Sequence, residues 1–123
     1  MANELAAALK ERTMRFALRV MRFCRTLPDT WEARFVADQL FRAGARTGAN
    51  YRATCRARSR KDFVHKIGMV VEESDESTFW LEFVARAGMN ESVEQKELLR
   101  EAGELLAIFT SSAKTASDNL NHL

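Results

Sequence analysis

Apolar residues recur every three to four positions along this chain, the spacing that lays them along one face of an α-helix. Four such stretches, near residues 3–26, 31–57, 60–87 and 92–120, are separated by short breaks. In the first, Met14, Ala17, Met21 and Cys24 make the predicted seam. It stops at Leu27-Pro28-Asp29, because proline lacks an amide donor and disfavours helix at the residue before it. Asp29 or Thr30 caps the second helix, whose seam is Ala33, Val36, Leu40, Gly44, Thr47 and Tyr51. Its small residues Gly44, Thr47 and Gly48 let a neighbouring helix come close, which offsets the roughly 1 kcal/mol of helix propensity that each glycine costs. Ser59 with Asp62 reads as a capping box, with Asp in the place of Glu, and opens the third helix. That helix repeats Phe63, Ile67, Val70, Ser74, Ser77, Leu81 and Val84 up to Gly88, a natural left-handed stop. Ser92 caps the fourth, with Glu94 and Gln95 in its first turn and Leu98, Ala102, Leu105, Phe109, Ser112 and Ala116 along its seam. Connections this short make consecutive helices antiparallel neighbours. The expectation is one all-α domain over residues 1–123, an antiparallel up-down-up-down four-helix bundle.

Composition narrows the class without changing it. The chain has 123 residues, 46% apolar and 29% charged, with five Gly and one Pro, an ordinary balance for a folded domain. No apolar run approaches the roughly 18–20 residues that cross a bilayer. Met1 to Glu11 carries charges where a signal peptide has an unbroken apolar core, so a cytoplasmic protein without a membrane partner is expected. Cys24 and Cys55 both fall at helical positions and are expected as reduced, largely buried thiols.

Catalytic chemistry has little to stand on. Zinc lacks ligands, since the histidines are His65 and the near-terminal His122. The run Glu72, Glu73, Asp75 and Glu76 has the composition of a di-metal carboxylate site, but no Glu-x-x-His occurs in the chain. It is expected as a charged helix face. Neither a nucleophile arrangement nor a glycine-rich phosphate loop is present. No enzyme activity and no cofactor are expected.

Charge is distributed unevenly. Residues 1–66 carry 15 Lys/Arg against 6 Asp/Glu, a net of +9, while residues 67–123 carry 4 against 11, a net of −7. Arg12, Arg15, Arg19 and Arg22 line one face of the first helix, and Glu94, Glu97, Glu101 and Glu104 have the same spacing on the fourth. These stripes either lace together, within a subunit or between subunits, or stay solvated. On the second helix Arg34, Arg42, Arg46, Arg52 and Arg56 fall within roughly a 120° arc opposite the apolar seam, at about 100° per residue. Arg58, Arg60 and Lys61 extend the stripe, and no acidic residue lies between Asp38 and Asp62. Such a surface suits a phosphate backbone, read by charge and not by sequence. A second apolar feature is on the third helix, where Phe79 and Phe83 point roughly opposite the Leu81/Val84 seam with Trp80 to one side. With Phe16 and Phe23 of the first helix they are the candidate contacts of a homo-oligomer.

The stretch Asp38-Gln39-Leu40-Phe41-Arg42-Ala43, followed by Ala49-Asn50-Tyr51-Arg52, Cys55-Arg56-Ala57-Arg58-Ser59, Asp62-Phe63, Lys66-Ile67, Glu73, Asp75-Glu76 and Trp80-Leu81-Glu82, resembles a known family. It is similar to the bacterial four-helix-bundle proteins first noticed as reading frames in 23S rRNA intervening sequences, over about residues 14–110. The resemblance implies a four-helix subunit, a ring-like homopentamer and no known enzymatic activity. One departure is Ala53, three residues after the motif Asn50, where the family often has an acidic residue. Its loss adds net positive charge to the arginine face. That family is in turn similar to the accessory variability proteins of diversity-generating retroelements, pentamers that bind nucleic acid and a reverse transcriptase. By that analogy the expected partners are copies of the chain itself and RNA or DNA, RNA first, on helices one and two. The other reading is a protein-binding scaffold, such as an accessory subunit of a reverse transcriptase.

Overall fold

A computed structural model describes residues 2–122, with side chains from Glu4 onward. Four α-helices follow one another, α1 (Ala2–Cys24), α2 (Trp31–Thr54), α3 (Arg60–Arg86) and α4 (Val93–Asn121). They form an antiparallel up-down-up-down bundle in which each helix packs on the next, while α1 touches α4 least.

Local chemistry sets the helix ends. The Thr30, Ser59 and Ser92 side chains each accept from the backbone amide three residues on, at Ala33, Asp62 and Gln95. Asp62 returns a bond, its carboxylate accepting from the Arg58 amide at 3.1 Å, which with Lys66 holds its carboxyl below the usual range. Pro28 acts earlier than the sequence suggests. The chain leaves α1 at Cys24, and Arg25, Thr26 and Leu27 tighten into turns that bond three residues back. Similarly α2 ends at Thr54 and not near 57, so Arg56 lies in the turn that follows. Gly88 has φ +71°, and the Met89 amide reaches back to the Val84 carbonyl at 2.9 Å, closing α3 as expected.

The core is contributed by all four helices, with Val20, Leu40, Ile67, Val70, Leu81, Leu98, Leu105 and Phe109 all closed to solvent. The seams expected for α2, α3 and α4 are the observed ones as far as Phe109; Phe63, Ser112 and Ala116 are half-buried. The seam of α1 is not. Leu9, Thr13, Phe16, Val20 and Phe23 are buried, whereas Met14 is 42% exposed. The expected face was rotated by one residue, about 100°. Phe16 and Phe23, expected as exposed contacts of an oligomer, are 1% and 2% exposed and belong to the subunit's own core. The cysteine expectation also needs correction. Cys24 is half-buried, its thiol pushed up to about 11 by burial, but Cys55 is exposed just beyond α2.

Two features position α1 and α4. At Gly44 an added Cβ would sit 3.1–3.2 Å from three atoms of Val20, so the missing side chain is where α1 and α2 come closest. Buried Gln95 sends its amide from α4 to the Leu81 carbonyl of α3 at 2.9 Å. The buried hydroxyls behave differently: Thr13, Thr47, Thr54, Ser74 and Ser77 each donate to the carbonyl four residues back in their own helix.

Candidate functional site

The two charged stripes left open by the sequence meet within the subunit. Arg12 of α1 grips Glu101 of α4 with two nearly parallel bonds, at 2.8 and 2.6 Å, and reaches Glu104 at 3.2 Å. Arg19 binds Glu94 at 2.9 Å and lies 3.8 Å from Glu97. Arg15 and Arg22 project to solvent instead. Both pairs are partly solvated, so the Arg12 clamp is worth about 1 kcal/mol and the Arg19 pair about half that. Arg12→Ala is therefore expected to lower the urea-unfolding free energy by about 1 kcal/mol, and about 1 M salt should erase most of the difference, since screening weakens the clamp.

The arginine face of α2 is exposed along its length, as its position opposite the Val36/Leu40 seam requires. Its members are not equally available. Arg34 is paired with Asp29 at 2.6 Å beside the helix N-terminus, and Arg46 lies 3.9 Å from Glu73 of α3. Glu73 is largely buried, and desolvation together with nearby Glu76 raises its pKa against the pull of Arg46. Among the described residues Arg42, Arg52, Arg56, Arg58, Arg60 and Lys61 have no ion-pair partner, and all six are exposed. The last four cluster where the α2–α3 turn enters α3. The positive surface thus runs from mid-α2 to the end of the bundle.

The aromatic surface lies on α3. Phe79 and Phe83 are 56% and 40% exposed, and Trp80 packs edge-on against both rings at 4.9 and 5.4 Å between centroids. Trp80 is held by its own helix, its indole N–H reaching Glu76 at 3.4 Å. Phe35 of α2 joins from the neighbouring helix, 6.0 Å from Trp80 and 54% exposed. Sequence reasoning missed it. The available signal was its absence from the Ala33-Val36-Leu40 seam, which leaves an aromatic residue among the arginines. Three exposed phenylalanines around a half-buried tryptophan make a surface with apolar area left to cover.

Among the described residues no three His, Cys, Asp or Glu side chains group so as to hold a metal ion, and no helix is long and apolar enough to cross a membrane.

Residues 7–111 match the family model described as 23S rRNA-intervening sequence protein. Among solved structures, the chain is similar to a protein of unknown function from the S23 ribosomal protein family of Bacteroides thetaiotaomicron, a crystal structure at 1.70 Å resolution. The two align with a TM-score of 0.80 at 25% identity, over 89% of this chain and 97% of that one. No curated protein matches the chain.

Proposed function

Because the chain belongs to the 23S rRNA-intervening sequence protein family, we propose that it is a non-enzymatic bundle that assembles with copies of itself and holds RNA on its basic face. The observation that carries this reading is the set of exposed cations without an ion-pair partner among the described residues, Arg42, Arg52, Arg56, Arg58, Arg60 and Lys61. Unpaired guanidinium groups on one side of a rigid helix can each take a phosphate oxygen, and each contact releases condensed counterions. Such charge contacts to the phosphate backbone carry no sequence information. Binding is therefore expected to be insensitive to sequence and steeply sensitive to salt. In a ring of five subunits the face would be repeated five times, and the summed field would attract a polyanion more strongly than one copy can.

The test measures RNA binding by the wild type and by the combined variant Arg42→Ala, Arg56→Ala, Arg58→Ala across a salt series, with oligomer size followed in parallel. Three lost phosphate contacts should lower the slope of log affinity against log salt by about 2–3 units. The loss should be similar on all sequences tested. Wild-type protein that binds neither RNA nor DNA at low salt would remove this reading.

The exposed Phe35, Phe79 and Phe83, gathered around Trp80, favour a second reading, a scaffold that docks another protein, such as a reverse transcriptase. An apolar contact of that kind should be nearly indifferent to salt, which separates it from phosphate binding.

A further inference from the structure

The outer seam between α1 and α2 is an apolar groove of about 290 Å³. Met14 and Ala17 of α1 face Ala45, Gly48 and Ala49 of α2 across it, and Lys10 and Arg52 stand at one end. Lys10, Met14 and Ala17 are spaced 4-3, and Ala45, Gly48 and Arg52 are spaced 3-4, so the groove follows both helices for about two turns. Its floor is made of small side chains, and its exposed wall residue Met14 has no place in the subunit's core.

On α3, Glu72, Glu76, Phe79 and Phe83 form a ridge with 4-3-4 spacing on the side away from the Ile67/Leu81 seam. Asp75 and Glu82 lie along one flank of it, Glu82 within 3.9 Å of Arg86. One surface is therefore a small-floored groove with cations at one end, and the other is an aromatic strip with Glu72 and Glu76 at its N-terminal end and Arg86 at its C-terminal end. We propose that the groove between α1 and α2 receives the α3 ridge of a second copy of this chain, with Phe79 and Phe83 on the small-residue floor and the ridge carboxylates toward Lys10 and Arg52.

Charge complementarity supports this contact, since Glu72 and Glu76 at one end of the ridge meet Lys10 and Arg52 at one end of the groove. Two ridges paired in parallel would instead set Glu72, Asp75 and Glu82 against the same carboxylates of the partner, and like charges brought together in a contact oppose it. Ridge in groove places opposite charges together and also covers Met14. Helix ridges settling into the groove of a neighbour is how helices pack in general. Each copy carries one ridge and one groove on different sides of the bundle, so the contact is head to tail and extends until a ring closes. Arg52 then belongs to the groove, leaving Arg42, Arg56, Arg58, Arg60 and Lys61 for phosphates. The inference rests on self-assembly and deepens it by naming both faces.

The experiment uses two variants of the whole chain, each spoiling one face. Ala45→Trp fills the groove and leaves the ridge; Phe83→Glu spoils the ridge and leaves the groove. Far-UV circular dichroism checks the fold of each, and Ala49→Trp, at an exposed position on the same groove, replaces Ala45→Trp if that variant loses helix. By light scattering each variant alone should be a monomer at concentrations where the wild type is a closed oligomer. Mixed in equal amounts, the two retain one good groove and one good ridge between them, and should form a 1:1 heterodimer that grows no further. Groove-filled protein that assembles like the wild type, or a mixture that stays monomeric beside an oligomeric wild type, overturns the docking while leaving self-assembly standing. A monomeric wild type at micromolar concentration overturns both.

Discussion

Phe16→Ala is expected to cost the bundle about 3–5 kcal/mol, the range for emptying the site of a fully buried phenylalanine. Its ring is 1% exposed and belongs to the main core cluster, with Val20 and Phe23 on the same face of α1. A domain of this size has a total of roughly 5–15 kcal/mol to lose, so the variant should fold at 25 °C and melt far below the wild type. Phe79→Ala is the control. Its ring is 56% exposed, and within the subunit its removal should change stability by no more than about 0.5 kcal/mol. Urea unfolding of both at a concentration low enough to avoid assembly makes the comparison. A Phe16→Ala curve within about 1 kcal/mol of the wild type would mean that α1 buries a different face.

The contrast between these two phenylalanines shows where the sequence was readable. In α2 and α4 the buried leucines have charged residues on both sides, so only one phase fits. Leu40 sits between Asp38 and Arg42, and Leu98 between Glu97 and Arg100. Helix α1 has no such boundary. Met14, Ala17 and Met21 form one apolar stripe, and Leu9, Phe16, Val20 and Phe23 form another about 100° away. Periodicity alone cannot rank two stripes of equal regularity. What ranks them is volume, since two phenylalanines fill the bundle centre better than methionine and alanine, and the groove beside α2 accepts the smaller set. The basic face was legible because it follows from the α2 seam by geometry. Which of its arginines are free was not, because Arg34 finds Asp29 across a cap and Arg46 approaches Glu73 on another helix. The Arg12–Glu101 clamp lay between the two: its residues were visible as matched stripes, and its formation within one subunit required the packed bundle.

Gly44→Leu is expected to destabilise by about 2–3 kcal/mol, although it removes a helix-weakening glycine worth roughly 1 kcal/mol. A Cβ at residue 44 would already press on the Cβ and both methyl groups of Val20, at 3.1–3.2 Å, and the rest of the leucine would have to pass them. Either α1 moves away from α2 or the leucine leaves its preferred rotamers, and both disturb the Phe16–Phe23 face. Val20→Ala alone should cost about 2 kcal/mol, because a closed apolar site loses two methyl groups. Together the changes should cost less than their sum by about 1–2 kcal/mol, as each makes room for or fills the space left by the other. The double-mutant cycle by urea unfolding is the measurement, and strict additivity would show that the two positions do not share this contact.

The buried hydroxyls that bond back along their own helices bear on how the chain reaches this structure. Thr13, Thr47, Thr54, Ser74 and Ser77 are satisfied as soon as their local turn is wound. None of these groups waits for a distant segment. The buried Gln95 amide does reach another helix, but only 14 positions back across a single loop. During collapse, then, these polar atoms impose no long-range pairing that must be found before water can leave. The search reduces to aligning apolar faces of helices that are neighbours in the chain, a problem of low contact order, for which folding in microseconds to milliseconds is usual. A wound helix can also slide against its neighbour without breaking those hydroxyl bonds. The final register is left to shape, above all to the place where Val20 meets the bare backbone of Gly44.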